Sequence, residues 1–203
     1  METKDFLQKL NDLIGRPKCE LEYSTPYQLL VAVVLSAQCT DKRVNIVTKE
    51  LFKNYGTPEK MVTLSQKELE KMIHSCGFYR NKAKNILDMS NALIKKFNSQ
   101  VPNDLDELQS LAGVGRKTAN VVFSEAFGGD AIAVDTHVLR VSNRLGFVKS
   151  ENPLKCELAL MDKFEKSVWA RLHLQLVHFG RYICKAQKPE CDRCPFGEIC
   201  VKR

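Results

Sequence analysis

The segment DLDELQSLAGVGRKTANVVFSEAF, residues 104–127, predicts two short helices joined by a tight turn. Leucines recur at helical spacing before the turn, and a second apolar run begins after it at Ala119. Gly113 and Gly115 flank Val114, which allows a positive φ and leaves amides exposed at the start of the second helix. Because the positive end of a helix dipole favours an anion, the turn is a candidate site for one phosphate group.

The residues beside this turn make the pattern more specific. A lone Gly-x-Gly is usually only a helix–helix turn, and on its own this one allows that interpretation. Here a Leu-Ala pair precedes the turn and Arg116-Lys117 follows it directly. LAGVGRKTA resembles the helix-hairpin-helix motif of the endonuclease III family of base-excision glycosylases. The resemblance implies a DNA-binding hairpin made of Gly113, Val114, Gly115 and Arg116.

Lys117 is the candidate nucleophile. It lies near the start of the second predicted helix, where the helix dipole and Arg116 both disfavour an ammonium ion. A lysine amine that is neutral part of the time can attack the anomeric carbon of a sugar and form a Schiff base. That intermediate permits β-elimination of the 3′ phosphate, so one residue supports both base release and strand cleavage. The plainer alternative is a solvated surface charge.

Asp135 is the candidate catalytic carboxylate. It ends the apolar run AIAV, and its position alone favours an N-cap of the following helix. The segment VDTHVLRVSNRLG, residues 134–146, resembles the family segment whose aspartate is catalytic. The resemblance implies that Asp135 stabilises an oxocarbenium-like sugar and assists Lys117 in proton transfer, with His137 beside the site.

Four of the eight cysteines form a candidate metal site. They follow the pattern Cys-x6-Cys-x2-Cys-x5-Cys at Cys184, Cys191, Cys194 and Cys200. Spacing alone leaves zinc and iron–sulfur both open, because zinc ribbons usually carry two short cysteine pairs. The 6-2-5 spacing is similar to that of the endonuclease III family, so the resemblance implies a 4Fe-4S cluster. The scattered cysteines predict only small buried side chains: Cys19, Cys39, Cys76 and Cys156.

Two further segments acquire a role only through the resemblance. LSAQCTD, residues 35–41, is by itself a helix end followed by a cap. It resembles the family's LSAQxTD, which implies that Gln38 enters the space left by a flipped base, with Ser36 and Asp41 near the lesion pocket. CGFYRN, residues 76–81, resembles the family loop that wedges an apolar residue into the duplex. Phe78 stands where a leucine is common.

The charge of the chain is compatible with a nucleic-acid partner. The 31 Lys and Arg residues exceed the 24 Asp and Glu residues, which gives a net charge of +7. An excess of this kind attracts polyanions. Two groups of basic residues are candidates for phosphate contacts: one follows Phe78-Tyr79 and one surrounds the four cysteines. They comprise Arg80, Lys82 and Lys84, and Lys185, Lys188, Arg193, Lys202 and Arg203.

Helix start signals dominate the chain and predict an all-α protein. An apolar helical face recurs between residues 83 and 97 and ends at Asn98-Ser99-Gln100, and only residues 131–134 look strand-like. N-caps followed by proline, or by a capping-box glutamate, occur at Thr25-Pro26, Thr57-Pro58, Ser65 to Glu68 and Asn152-Pro153.

The resemblance also implies a domain organisation. We expect two helical domains with a cleft between them, separated in the sequence near Gly128-Gly129. The central domain spans 20–129 and carries the helix-hairpin-helix motif. The discontinuous second domain comprises 1–19 and 130–203 and carries the C-terminal cluster loop. Apolar runs are too short to cross a membrane and the N-terminus has no signal core, so we expect a protein of the cytoplasm, associated with the nucleoid. A monomer is the simplest expectation for its oligomeric state.

The resemblance extends from residue 35 to Cys200 and implies a function. It implies a bifunctional DNA glycosylase and abasic-site lyase that removes oxidised pyrimidines, such as thymine glycol, from double-stranded DNA. One alternative is a monofunctional glycosylase of the same superfamily. Such enzymes lack a lysine at the nucleophile position, so the presence of Lys117 disfavours this alternative. Another is a non-catalytic module whose hairpin and metal centre only hold the duplex.

Overall fold

The computed structural model describes residues 1–201. Over these residues it contains helices and no β-strand, which confirms the all-α prediction. No helix of this part is long and apolar enough to cross a membrane. Short 3₁₀ turns lie at His74–Cys76, Lys166–Val168 and Cys191–Arg193. The α-helices are α1 (Thr3–Ile14), α2 (Pro26–Ser36), α3 (Asp41–Tyr55), α4 (Pro58–Met61), α5 (Gln66–Ile73), α6 (Tyr79–Lys96), α7 (Leu105–Gln109), α8 (Arg116–Phe127), α9 (Thr136–Arg144), α10 (Pro153–Lys163) and α11 (Trp169–Tyr182).

The helices belong to two compact units, each with its own apolar core. Cys19–Phe127 forms the central unit, which holds α2 to α8. Met1–Lys18 and the chain from Gly128 onward form the second unit, which holds α1 and α9 to α11. In the second unit α1 packs against α11, so the two ends of the chain contribute to one core.

Helix α2 is the buried centre of the central unit. Thr25 Oγ1 accepts a hydrogen bond from the Gln28 amide at 3.2 Å, and Pro26 is the first helical residue, as predicted. Every residue from Leu29 to Leu35 is buried. A helix that is apolar on all sides must be covered on all sides, and α3, α6 and α8 pack around it.

The predicted signals at the ends of α5 and α6 are confirmed. Ser65 Oγ accepts from the Glu68 amide at 3.3 Å, and Glu68 Oε2 accepts from the Ser65 amide at 2.8 Å, which completes a capping box. Helix α6 ends just before Asn98 and Ser99, whose φ angles are 49° and 62°. The Ser99 amide donates to the Leu93 carbonyl at 3.0 Å and closes the last turn of the helix.

Phenylalanine side chains fill the core of the second unit. Phe6 of α1 is 2% exposed, and its ring centroid lies 4.9 Å from that of Phe147 and 4.8 Å from that of Phe196. Phe196 lies between Cys194 and Cys200, so the same core anchors the cysteine-containing segment. The strand-like residues 131–134 are buried but form no strand, and they lead directly to α9.

Helices α9 and α11 pack closely at Gly180. A Cβ atom added to Gly180 would lie 2.8 Å from His137 Cβ and 3.2 Å from Val141 Cγ2. Only glycine lets the two helices approach to this distance. The contact fixes the start of α9 against α11, whose C-terminal end leads into the first cysteine of the metal-site pattern.

Candidate active site

Helices α7 and α8 form the predicted hairpin. Asp104 caps α7, with Oδ1 accepting from the amides of Asp106 at 2.9 Å and Glu107 at 3.0 Å. The Val114 amide donates to the Leu111 carbonyl at 3.1 Å, and this bond closes the turn. Val114 is 5% exposed and belongs to the core of the central unit, which anchors the turn between its two glycines.

The two glycines of the turn have different physical reasons to be glycine. Gly113 has φ +77°, and an added Cβ would lie 2.8 Å from Asn85 Cβ, so both the backbone and the packing exclude a side chain. Gly115 is exposed, and an added Cβ would meet no described atom within 4 Å. The Gly115 carbonyl accepts from the Ala119 amide at 2.9 Å and starts α8. The Gly115 side of the turn is therefore open to a ligand.

Arg116 and Lys117 occupy the first turn of α8, and both are exposed. The buried face of α8 begins two residues later with Ala119 and Asn120. Lys117 is three positions before the buried Asn120, so it lies on the same side of α8, but its position in the first turn leaves it exposed. Its amine is accessible to a ligand bound at the Gly115 side of the turn.

Asp135 caps α9, which confirms the position predicted from its sequence. Asp135 Oδ1 accepts from the amides of His137 at 2.9 Å and Val138 at 2.8 Å. Both bonds end on the same oxygen, so the cap does not use Oδ2. The residue is half-buried at the end of the buried segment 131–134. A single carboxylate can thus hold the helix start with one oxygen and act on a ligand with the other.

His137 lies next to this carboxylate and is half-buried. Burial is the largest influence on its pKa and lowers it; Arg140 and Arg181 lower it further, while Asp135 raises it. The lowered pKa favours a neutral imidazole at neutral pH. Arg140 Nη2 donates to His137 Nδ1 at 3.2 Å, since a guanidinium carries no acceptor.

Arg140 and Arg144 connect α9 to the cysteine loop, defined as residues 184–200. Arg140 Nη2 donates to the carbonyls of Gly180 at 2.8 Å and Cys184 at 3.2 Å. Arg144 is 8% exposed, and its Nη1 donates to the Lys185 carbonyl at 2.7 Å and contacts Cys184 Sγ at 3.4 Å. These side chains are one helical turn apart. Their i, i+4 spacing is visible in the sequence, but their partners in the cysteine loop are not.

The four cysteines of the predicted metal site line one cavity of about 140 Å³, together with Arg144, Leu145 and Phe179. Burial is the main cause that raises the pKa of Cys194, and the nearby thiols of the other three cysteines raise it further. Within residues 1–201 no group of three or more His, Cys, Asp or Glu side chains is arranged to hold a metal ion. The four cysteines thus share the lining of one cavity.

The basic residues near the cysteine loop are less available for phosphate than the sequence predicts. Glu190 accepts from Lys185 Nζ and from Arg193 Nη1, each at 2.6 Å, so two of the predicted cations already form ion pairs. Lys188 is exposed. Lys202 and Arg203 lie outside the described residues.

The residues around Gln38 form a short link between α2 and α3. Ser36 is the last residue of α2, and its Oγ donates to the Val33 carbonyl at 2.8 Å. Asp41 is the first residue of α3, which Thr40 caps. Gln38 between them is exposed and has φ +53°.

Phe78 precedes α6 and is 64% exposed, with φ +45°. Both Gln38 and Phe78 are therefore exposed side chains on left-handed backbone, a conformation that costs a non-glycine residue free energy. Strain of this kind persists only where neighbouring structure holds it, and it is common at binding sites.

The prediction that Lys82 contacts phosphate is wrong. Lys82 is 5% exposed, and its Nζ donates to three backbone carbonyls inside the central unit. Lys84 is exposed and forms an ion pair with Asp88 at 2.6 Å. Arg80 is exposed and lies over the Tyr79 ring at 5.7 Å. The three cations were predicted as one group because the local sequence does not distinguish a buried lysine from an exposed one. Only the long-range contacts of Lys82 show that it is buried.

Comparison with known proteins gives a family match over residues 31–166, to the HhH-GPD superfamily of base excision DNA repair proteins. The chain is also 52% identical over 195 residues to endonuclease III of Bacillus subtilis strain 168, covering 96% of this chain and 89% of that protein. This chain belongs to the endonuclease III family. Endonuclease III of Escherichia coli strain K12 is 40% identical over 196 residues, covering 97% of this chain and 93% of that protein.

Solved structures of the endonuclease III family have the same fold. A trapped endonuclease III–DNA covalent intermediate, in an estranged-adenine complex, matches with a TM-score of 0.94 and 49% identity over 100% of this chain and 97% of that chain. A thermostable thymine-DNA glycosylase matches with a TM-score of 0.85 at 24% identity, covering 98% and 94%, and so shares the fold alone. As a member of the endonuclease III family, the chain is a DNA glycosylase and abasic-site lyase of base excision repair.

Proposed function

We propose that this protein removes oxidised pyrimidines, such as thymine glycol, from double-stranded DNA and cleaves the strand through a Schiff base on Lys117. One observation carries the proposal: Lys117 is exposed in the first turn of α8, directly after the open Gly115 side of the hairpin. A phosphate bound by the turn amides would bring the neighbouring deoxyribose towards the lysine amine. The choice of oxidised pyrimidines rests on the resemblance to the family.

Lys117 supplies the covalent chemistry. Its neutral amine attacks C1′, the bond from C1′ to the base breaks, and the base leaves with the electron pair and takes up a proton. Opening of the sugar leaves an iminium between Nζ and C1′. Loss of a proton from C2′ then expels the 3′ phosphate by β-elimination. Water finally hydrolyses the iminium and releases the lysine amine.

Asp135 supplies the carboxylate. Because both cap hydrogen bonds end on Oδ1, Oδ2 is the oxygen that acts on the sugar or on a proton. A carboxylate stabilises the positive charge that develops on the sugar as the base departs, and it accepts a proton from the attacking amine. His137 is the neighbouring group that keeps this side of α9 polar without adding a positive charge at neutral pH.

The partner in this proposal is double-stranded DNA that carries a damaged base or an abasic site. The net charge of +7 and the Gly113–Arg116 hairpin favour contacts to the phosphate backbone. Gln38 and Phe78 replace the stacking that is lost when a nucleotide is flipped out, with Ser36 and Asp41 near the pocket. The similar solved structures include a covalent and a non-covalent endonuclease III–DNA complex. We propose that the chain acts as a monomer.

The cofactor in this proposal is a 4Fe-4S cluster held by Cys184, Cys191, Cys194 and Cys200. A single tetrahedral ion would draw four sulfurs around one point, whereas a four-iron cluster occupies space between them. The cavity of about 140 Å³ that the four residues line fits the larger group. Arg144 Nη1 contacts Cys184 Sγ at 3.4 Å and would stabilise a thiolate there. When bound, a cluster of this type supplies a covalent cross-link and a site for one-electron transfer.

The test is product analysis on a duplex with one thymine glycol. We expect base release, followed without added alkali by cleavage to a 3′ unsaturated aldehyde and a 5′ phosphate. Base release that needs alkali for strand cleavage would indicate a monofunctional glycosylase. Tight binding with neither product would indicate a non-catalytic DNA-binding module. Either result would contradict the proposed function.

A further inference from the structure

Lys82 is a buried cation whose hydrogen-bonding capacity is fully used. It is 5% exposed, and its Nζ donates to the carbonyls of Leu35 at 2.8 Å, Ala37 at 2.7 Å and Cys76 at 2.6 Å. An ammonium group has three N–H donors, so each donor has one acceptor. Burial lowers the pKa of Lys82, because removing an ammonium group from water is unfavourable. The three hydrogen bonds offset this desolvation cost.

The three acceptors belong to two segments that are far apart in the sequence. Leu35 and Ala37 lie at the C-terminal end of α2, where helix carbonyls lack partners within the helix and favour a cation. Cys76 ends the 3₁₀ turn His74–Cys76. The Lys82 ammonium group therefore joins the end of α2 to the segment before α6.

Each of these segments lies within two residues of one of the exposed left-handed residues. Gln38 follows Ala37, and Phe78 follows Cys76 by two positions, with φ angles of +53° and +45°. A left-handed conformation is unfavourable for a non-glycine residue and persists where the surrounding structure fixes the backbone. Lys82 binds the carbonyl directly before Gln38 and the carbonyl two residues before Phe78.

A second contact joins the same two segments. The thiols of Cys39 and Cys76 are close enough to interact, since Cys39 adds to the effect of burial in raising the pKa of Cys76. Cys39 is the residue directly after Gln38. Cys76 is 1% exposed, so its side of this contact is buried. The segments that carry Gln38 and Phe78 are thus joined to each other through Lys82 and through the two cysteines.

We propose that Lys82 is a positioning residue that holds the Gln38 and Phe78 segments at a fixed separation, so that both side chains enter the duplex together when a nucleotide flips out. The inference rests on the proposed function, which assigns Gln38 and Phe78 to the flipped-base space and the duplex. Lys82 itself touches no DNA. It acts through the backbone carbonyls that precede the two inserting residues.

Two DNA substrates differ in whether they require insertion of Gln38 and Phe78. In a duplex with thymine glycol the damaged nucleotide must flip out, and protein side chains must fill the space that it leaves in the base stack. The single-turnover rate on this substrate therefore depends on both inserting residues. Single-stranded DNA with one abasic site has no base stack to refill and needs only Lys117 and Asp135. Loss of Lys82 should therefore slow the first reaction and leave the second unchanged, whereas a general structural defect would slow both.

The experiment compares wild type with Lys82→Met, which has a side chain of similar length and no donors, and with Lys95→Met, an exposed control on the same helix. For Lys82→Met we expect a rate on the thymine glycol duplex lowered by at least about tenfold, which corresponds to about 1.4 kcal/mol, and an unchanged rate on the single strand. Lys95→Met should match wild type on both. A folded Lys82→Met variant that matches wild type, or that loses both reactions equally, would overturn the inference.

If Lys82→Met fails to fold, a double-mutant cycle with Gln38→Ala and Phe78→Ala tests the joint insertion on which the inference depends. Joint insertion predicts that the two losses on the duplex are strongly non-additive, because removal of one residue already disables the shared step. If wild type is active on the duplex and the two losses are additive, the inference is overturned and the proposed function is not. A wild type inactive on both substrates would overturn the proposed function, and the inference with it.

Discussion

The Oδ1 atom of Asp135 accepts a hydrogen bond from the backbone amide of Val138 at 2.8 Å, and Oδ2 takes no part in this cap. The proposed catalytic carboxylate is thus also the residue that starts α9. Stability and catalysis therefore depend on different oxygens of one side chain. Substitutions can separate the two roles, because asparagine keeps the capping oxygen and alanine does not.

For Asp135→Asn we expect a single-turnover rate lowered by about 10²-fold or more, since the carboxylate charge is lost. The free energy of unfolding should fall by only about 0.5 kcal/mol, because asparagine and aspartate cap helices about equally well. Asp135→Ala should lose the same activity and about 1 kcal/mol of stability. Denaturant melts beside single-turnover assays measure both effects. Wild-type rates in Asp135→Asn would refute the catalytic role.

The two glycines of the hairpin should respond differently to alanine. Gly113→Ala forces a side chain onto φ +77° and within 2.8 Å of Asn85 Cβ, so we expect a loss of about 1–3 kcal/mol in stability. Gly115→Ala meets no described atom within 4 Å and should be as stable as wild type, but its methyl group occupies the open side of the turn. We expect weaker binding to an abasic-site duplex for Gly115→Ala. Unchanged affinity in that variant would argue against phosphate binding at the turn.

Phe78→Ala tests the proposed wedge. Removing a side chain that is 64% exposed costs little packing in the free protein, so stability should hardly change. Affinity for a lesion duplex should fall by about 1–3 kcal/mol, the range for loss of one base–aromatic stack, and affinity for undamaged duplex should fall less. Ile46→Ala is the matched control, because Ile46 is 52% exposed in the same unit. Equal losses on both duplexes would contradict insertion.

The proposed cofactor gives a direct spectroscopic prediction. The purified protein should be brown, with absorbance at about 400 nm from thiolate-to-iron charge transfer and four irons per chain. Cys200→Ser should lose iron and unfold at a lower temperature, because the cluster cross-links the cysteine loop. Cys19→Ser, outside the loop, should keep its iron. A colourless protein that contains zinc would contradict the iron–sulfur proposal.

Local signals in the sequence predicted much of the fold. The caps at Thr25, Ser65 and Asp135 each involve one side chain and backbone amides two or three residues later. The local sequence is therefore enough to predict them. The Gly113–Gly115 turn is similarly local. The motif resemblance then placed these elements in the right family.

Long-range contacts explain what the sequence did not predict. Lys82 was grouped with surface cations because its acceptors at Leu35 and Ala37 lie 47 and 45 residues away. Arg144 reaches the cysteine loop 40 or more residues later, and no local pattern identifies its partner. The left-handed backbone at Phe78 is likewise unusual for a bulky residue, and it depends on tertiary contacts rather than on local preference.

Reduction with sodium borohydride on a duplex with one thymine glycol tests the central assignment most directly. Borohydride converts an iminium into a stable amine, so only a Schiff-base enzyme becomes covalently joined to DNA. Lys155→Ala is the matched control, since Lys155 is an exposed lysine in the first turn of α10. We predict adducts with wild type and Lys155→Ala, attachment at Lys117 by peptide mapping, and none with Lys117→Ala. An adduct that persists in Lys117→Ala, or none with wild type despite tight binding, would contradict the account.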